Sequence, residues 1–158
     1  MTVVLWRRKT DIRTQTVPRR IGMVGCVKEK AKSARPAQDL YTSALFAGRR
    51  RYVERSCERW WILSAEHGLV NPQAPLEPYD LTLKTMSVAK RREWAKRVLQ
   101  QIVAAIDPGA GDVIEFHAGA DYREYGLADG LRRLGATVVN PTEGMTIGRQ
   151  LRFYSGQP

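Results

Sequence analysis

Four short apolar runs, each closed by small or polar residues, divide the chain: RIGMVGC at 20–26, WWILSA at 60–65, DVIEFHA at 112–118 and ATVVN at 136–140. Their length and composition predict strands. WWILSA is apolar at both alternating sets of positions, which suits a parallel strand covered on both faces. Other stretches carry a helical period. Leu40, Leu45, Phe46, Tyr52, Val53 and Cys57 predict a helix from Asp39 to about Cys57, capped by Asp39 or Ser43. Ser87 opens a strongly amphipathic helix to Ile106, with Trp94, Val98, Ile102 and Ile106 on its apolar stripe, and Asp107-Pro108-Gly109 stops it. Two more helices are predicted, from Asp121 to Leu134 and from Ile147 to Tyr154. Residues 27–37 read as a basic loop. Residues 66–86, with Pro72, Pro75 and Pro78, read as one long loop, and loops of that length inside a domain tend to carry function.

Strands alternating with helices predict an α/β fold: three layers, a mostly parallel four-stranded sheet with helices on both faces. Residues 1–18 read as a basic N-terminal arm closed by Pro18, and residues 19–158 as a single α/β domain.

Composition narrows the class of function. The chain has 158 residues, of which 43% are hydrophobic and 27% charged, enough to bury a core. No apolar run approaches the roughly 20 residues of a membrane helix, so no membrane partner is expected. The N-terminal MTVVLWRRKT places its apolar patch before its basic one, the reverse of a secretory signal, which points to a cytoplasmic protein. Cys26 and Cys57 have no metal-ligand spacing, and His67 and His117 stand 50 positions apart, so neither a metal nor any other cofactor is expected. The net charge of +10 is lopsided: residues 1–100 hold 21 Lys/Arg against 9 Asp/Glu, and the rest hold 5 against 7. That concentration favours a polyanionic partner, a nucleic acid or a nucleotide, because each phosphate neutralised releases counterions. Oligomeric state is left open, with Trp6 and Trp94 suited either to a partner or to the core.

In open α/β sheets ligands sit beyond the carboxyl ends of the strands. Those ends are Cys26-Val27-Lys28, Ser64 to Gly68, His117-Ala118-Gly119 and Asn140 to Gly144. Candidates for catalysis are Glu66, His67, Asp80 and His117. Candidates for binding are Cys26, Lys28, Lys30, Asp39, Tyr41, Ser64, Gly68, Tyr79, Gly119 and Tyr122. Each has a plainer role: a buried small hydrophobe for Cys26, a helix cap for Asp39, turn residues for Tyr79 and Asp80, a satisfied half-buried histidine for His117. No G-x-G-x-x-G and no Walker lysine motif is present, so the glycines do not point to a dinucleotide or triphosphate site.

Several motifs taken together resemble a family of small bacterial and phage proteins of uncharacterised function. They are Cys26-x-Lys28-x-Lys30, Asp39-Leu40-Tyr41-x-Ser43, Leu63-Ser64-Ala65-x-His67-Gly68-Leu69, Pro78-Tyr79-Asp80, His117-Ala118-Gly119-x-x-Tyr122 and Pro141-Thr142-x-Gly144-Met145-x-Ile147-Gly148. The resemblance spans roughly residues 20–152. Leu63-Ser64, Gly68 and Pro78-Tyr79 are also similar, more distantly, to the peroxide-stress YaaA family. There Ala65 replaces a glycine and His67 a tyrosine. That likeness implies DNA binding and a fold similar to uracil-DNA glycosylase.

Together these readings lead to the expectation of a nucleobase- or nucleoside-processing enzyme, an N-glycosidase or base-exchange enzyme acting on nucleic acid or nucleotides. Glu66 or Asp80 would support positive charge on the sugar, His67 or His117 would donate to the departing base, and Tyr41 or Tyr79 would stack on it. Two alternatives stand beside it: a non-catalytic DNA- or RNA-binding protein of stress-response or phage type, and a small-molecule nucleotide hydrolase.

Overall fold

All four predicted strands fall into a single mixed sheet. A computed structural model describes residues 17–156; the N-terminal arm, including Trp6, lies almost wholly outside them. Chain order runs β1 (Arg20–Gly25), β2 (Arg35–Pro36), α1 (Ala37–Leu40), α2 (Ala44–Ser56), β3 (Arg59–Ser64), β4 (Gly68–Val70), β5 (Pro75–Leu76), α3 (Val88–Ala105), β6 (Val113–His117), α4 (Ala120–Arg123), α5 (Leu127–Arg133), β7 (Thr137–Val139) and α6 (Ile147–Ser155). The sheet has the spatial order β4-β3-β1-β6-β7. The pairings β3–β1, β1–β6 and β6–β7 are parallel, and β4 alone runs antiparallel, against β3.

The pleat sorts side chains between two cores, because successive strand residues face opposite ways. Ile21, Met23, Leu63, Ile114 and Phe116 pack with Trp94, Val98 and Ile102 of α3 and Leu127 and Leu131 of α5. Val24 and Ile62 pack on the other face with Leu40 of α1 and Phe46 and Val53 of α2. Helices thus cover both faces, and Trp94 belongs to the core.

Four expectations are corrected. The sheet has five strands in place of four, since β4 turns straight back from Ser64. Three residues are too few to show a period, and the turn is made by Gly68 at φ +74°, where a β-carbon would collide with Gln101. Residues 66–86 are accordingly not one loop: they also hold β5, paired with β2, and a 3-10 turn at Leu83–Thr85. The predicted helix over 39–57 is two helices. Tyr41 leaves helical geometry to bridge Lys30, and Ser43 restarts the helix by accepting from the Phe46 amide at 3.1 Å. The helix expected over 121–134 likewise splits into α4 and α5 around Gly126, at φ +120°.

Candidate functional site at the strand ends

Read along the sheet, the carboxyl ends come in the order β3, β1, β6, β7, and the switch in connection direction lies between β1 and β6. Side chains from five elements meet above this row. From the end of β3, the buried Ser64 hydroxyl accepts from the His67 amide at 3.0 Å and donates to the Tyr79 hydroxyl at 2.7 Å. Tyr79 hydrogen-bonds Tyr41 at 2.6 Å. From the end of β1, the Cys26 thiol meets the Tyr122 hydroxyl at 2.9 Å. Trp94 braces the floor: its indole N–H donates to the Ser64 carbonyl at 2.9 Å, and its ring lies edge-on to Tyr122.

Burial lifts the Tyr41, Tyr79 and Tyr122 hydroxyls well above their ordinary range, and the neighbouring Cys26 adds to the rise in all three. They are therefore neutral hydroxyls at physiological pH, able to donate or accept. Lys30 supplies charge from above, its ammonium 4.5 Å over the Tyr79 ring, and the exposed His67 ring stands edge-on to Tyr79 at 5.4 Å. Glu66 and Asp80, flanking His67 and Tyr79 in sequence, are exposed, as is Lys28. The cluster thus joins Cys26, Lys30, Tyr41, Ser64, His67, Tyr79 and Tyr122, with Glu66, Asp80 and Lys28 on its margin. Gly68 shapes the turn below His67, and the exposed Gly119 precedes α4.

Two candidates fall elsewhere. Asp39 is tied to Arg50 at 3.0 Å on the lip of a wide groove, about 690 Å³, whose other walls include Arg35, Arg51 and Glu54. Tyr41 is the one residue of the cluster that also lines this groove. His117 is fully buried on the α2 and α6 side of the sheet. Its Nε2 meets Glu115 at 2.7 Å and its Nδ1 meets the Tyr154 hydroxyl at 2.6 Å, while Tyr52 packs on the ring. Glu115, also fully buried, takes Arg20 on its second oxygen at 2.6 Å. Burial alone would raise the Glu115 carboxyl, but hydrogen bonds and charge from His117 and Arg20 outweigh it and hold the group below its usual range. Hydrogen-bond logic puts an Nε2 proton toward the Glu115 carboxylate. Alternation along β6 explains the misplacement: Phe116 and His117 point to opposite faces, and His117 went to a closed one.

Sequence reasoning missed Arg49, Trp94, Asn140 and Gln150. Arg49 is buried, its guanidinium lowered by desolvation, and its Nη2 donates to Gln150 at 3.2 Å. In sequence it is one of three consecutive arginines, Arg49-Arg50-Arg51, and no local pattern sets it apart from its neighbours. Among the described residues no three His, Cys, Asp or Glu side chains are grouped as a metal ion requires, and no helix is long and apolar enough to cross a membrane.

A family model described as a family of unknown function, DUF6884, matches residues 21–156. The chain belongs to the DUF6884 family. The match covers every strand end that builds the cluster and leaves out the N-terminal arm. No curated protein and no solved structure matches the DUF6884 chain. Neither the YaaA family nor a uracil-DNA-glycosylase fold is thereby linked to it.

Proposed function

We propose that this DUF6884 protein is a nucleobase- or nucleoside-processing enzyme acting on nucleic acid or nucleotides at the N-glycosidic bond. The observation that carries the reading is the convergence of Cys26, Tyr41, Ser64, Tyr79 and Tyr122 at the ends of adjacent parallel strands, under Lys30 and His67. The resemblance to proteins with a uracil-DNA-glycosylase-like fold points the same way, as analogy of fold. Neutral hydroxyls suit a sugar, Lys28 and Lys30 suit its phosphate, and an aromatic rim suits a base. Water, or an incoming base, adds at the anomeric carbon as the C–N bond breaks. The bonding pair leaves with the base, which takes a proton from His67, and the proton of the incoming group passes to Glu66 or Asp80. His117 has no part in this scheme, because it has no path to a ligand.

Base release from oligonucleotides and nucleotides, followed by chromatography, tests the proposal. Glu66→Gln and Asp80→Asn are tested singly, and at least one abolishes turnover without loss of fold. Wild-type turnover in both removes the carboxylates from the mechanism. The exposure of Glu66 favours a second reading, a non-catalytic nucleic-acid binder. On that reading no base is released from any substrate, while affinity still falls with salt at a slope of about −0.9 per phosphate contacted on duplex DNA.

A further inference from the structure

Past the hydroxyl cluster, the ends of β6 and β7 and the start of α6 enclose a cavity of about 170 Å³ whose walls are mostly polar. Arg123 of α4 lines it, with its side chain only 11% exposed. Its Nε donates to the Ala118 carbonyl at 3.2 Å, and Nη1 reaches Glu143 at 3.5 Å, while Nη2 has no partner among the described residues. Nη2 keeps accessible surface, because the sealed side-chain polar atoms without a partner there are Arg49 Nε and Asn140 Oδ1 alone. The Asn140 oxygen is shut inside the wall and offers nothing to the cavity. A guanidinium that is largely out of water with its outer nitrogen unbonded calls for an acceptor.

Charge behind the wall points the same way. Arg49 is buried, and no carboxylate pairs with it among the described residues; the groups acting on it are the Tyr154 and Tyr122 hydroxyls and the Cys26 thiol. Glu115 is committed to Arg20 and His117. Arg49 Nη2 donates to Gln150 Oε1 at 3.2 Å. Arginine can only donate, so Gln150 turns its oxygen to Arg49 and its nitrogen away. That nitrogen gives one hydrogen to the Met145 carbonyl at 3.1 Å and has a second to spare, and Gln150 lines the cavity. Two guanidiniums therefore stand around the cavity against one carboxylate, Glu143, whose side chain is 63% exposed. A pair so exposed contributes little, and an uncompensated buried cation is costly. Size sets the limit: a cavity of about 150 Å³ takes up benzene, and a tetrahedral oxyanion is no larger.

We propose that this cavity binds a tetrahedral oxyanion, a phosphate group, held by the Arg123 fork and the Gln150 amide, with Arg49 behind Gln150 supplying the second positive charge. A guanidinium fork matches phosphate oxygens in pairs. The anion brings the negative charge that Arg49 lacks, over a short path with little water to screen it, and the exposed Glu143 swings into solvent as it enters. Free phosphate and the phosphate of an ester present the same oxygens. The site stands on the cavity and its two arginines, not on the nucleobase-processing reading, and it lies across β6 from Lys28 and Lys30, which follow β1.

Calorimetric titration of the full chain with inorganic phosphate, sulfate and a nucleoside monophosphate tests it, on wild type, Arg123→Gln, Gln150→Glu and the pair Lys28→Ala with Lys30→Ala. Gln150→Glu sets a carboxylate beside Arg49 and against the anion at nearly unchanged volume. Circular dichroism checks the fold of each variant, and if one cavity variant fails to fold the other decides. The expected result is saturable phosphate binding to wild type that weakens at least about tenfold in Arg123→Gln and in Gln150→Glu, persists in the lysine variant and is displaced by sulfate. Monophosphate binding that free phosphate displaces gives the cavity to the ester; phosphate bound without such competition gives it to the free ion, and both support the site. No saturable binding of any of these anions overturns it. Binding unchanged in the cavity variants, or lost only in the lysine variant, overturns it too and leaves the nucleotide reading of the strand ends standing.

Discussion

Glu115→Gln at the buried end of β6 isolates one energetic claim. The wild-type carboxylate bonds two partners, Arg20 at 2.6 Å and His117 at 2.7 Å, with no exposure of its own. Glutamine keeps the shape and one acceptor oxygen for His117, and loses the charge that Arg20 meets. Removing one member of a wholly buried ion pair costs about 3–5 kcal/mol. Here the Arg20 side chain is 45% exposed and recovers hydration, so the loss is nearer the worth of one charged hydrogen bond, about 2 kcal/mol. For a domain of this size that lowers the melting temperature by roughly 4–8 °C at pH 7. The sign with pH follows from the depressed carboxyl. A group held below its unfolded value of 4.5 stabilises the fold above that value and stops doing so as pH falls through its folded one. The wild-type advantage is therefore full at pH 6–7 and vanishes in acid, where the two proteins converge. Thermal unfolding followed by circular dichroism from pH 7 down to pH 3 reads both effects. Equal melting at pH 7, or a gap that widens on acidification, refutes the network as described.

Other expectations concern the frame of the site. In Gly25→Val a β-carbon would stand 2.8 Å from the Ala118 β-carbon and 3.2 Å from its α-carbon, forcing apart the β1 and β6 ends. The overpacking costs about 1–3 kcal/mol, and nucleotide binding weakens beyond what the loss of folded protein explains. Ser87→Ala removes the cap that accepts from the Lys90 amide at 3.2 Å; the urea midpoint falls by the equivalent of about 1 kcal/mol at constant slope, while ligand affinity is unchanged. Asp112 accepts from the Arg19 side chain and amide and from the Gly109 amide, and its carboxyl is lowered chiefly by the Arg19 hydrogen bond. Asp112→Asn therefore destabilises the fold near neutral pH and loses that effect in acid, measured by the same melts.

The strands were the legible part of this chain. Four apolar runs bounded by polar residues leave little choice in an alternating α/β pattern, and burial on both faces kept the signal continuous from Trp60 to Ala65. What escaped was decided over too few residues or by tertiary contact. β4 is three residues, and the breaks at Tyr41 and Gly126 follow from a long-range bridge and a positive φ inside stretches whose period is helical. The rim of strand ends was legible as a row because topology fixes it, which is why Cys26, Ser64, Tyr79 and Tyr122 meet. Side-chain direction along that row was not: one step of the pleat separates Phe116 from His117 and sends the histidine into a closed core. Asn140 showed in sequence only as the end of a strand, since a cavity and an unpaired atom have no local pattern.

A nucleotide bound at the strand ends is the central expectation. A co-crystal structure with a pyrimidine nucleoside monophosphate measures this directly. The predicted result is ligand density above Cys26 and Tyr122 at the strand ends, with the phosphate toward Lys28 and Lys30. Density confined to the groove lined by Arg35 and Arg51, with the strand ends empty at saturating ligand, contradicts it.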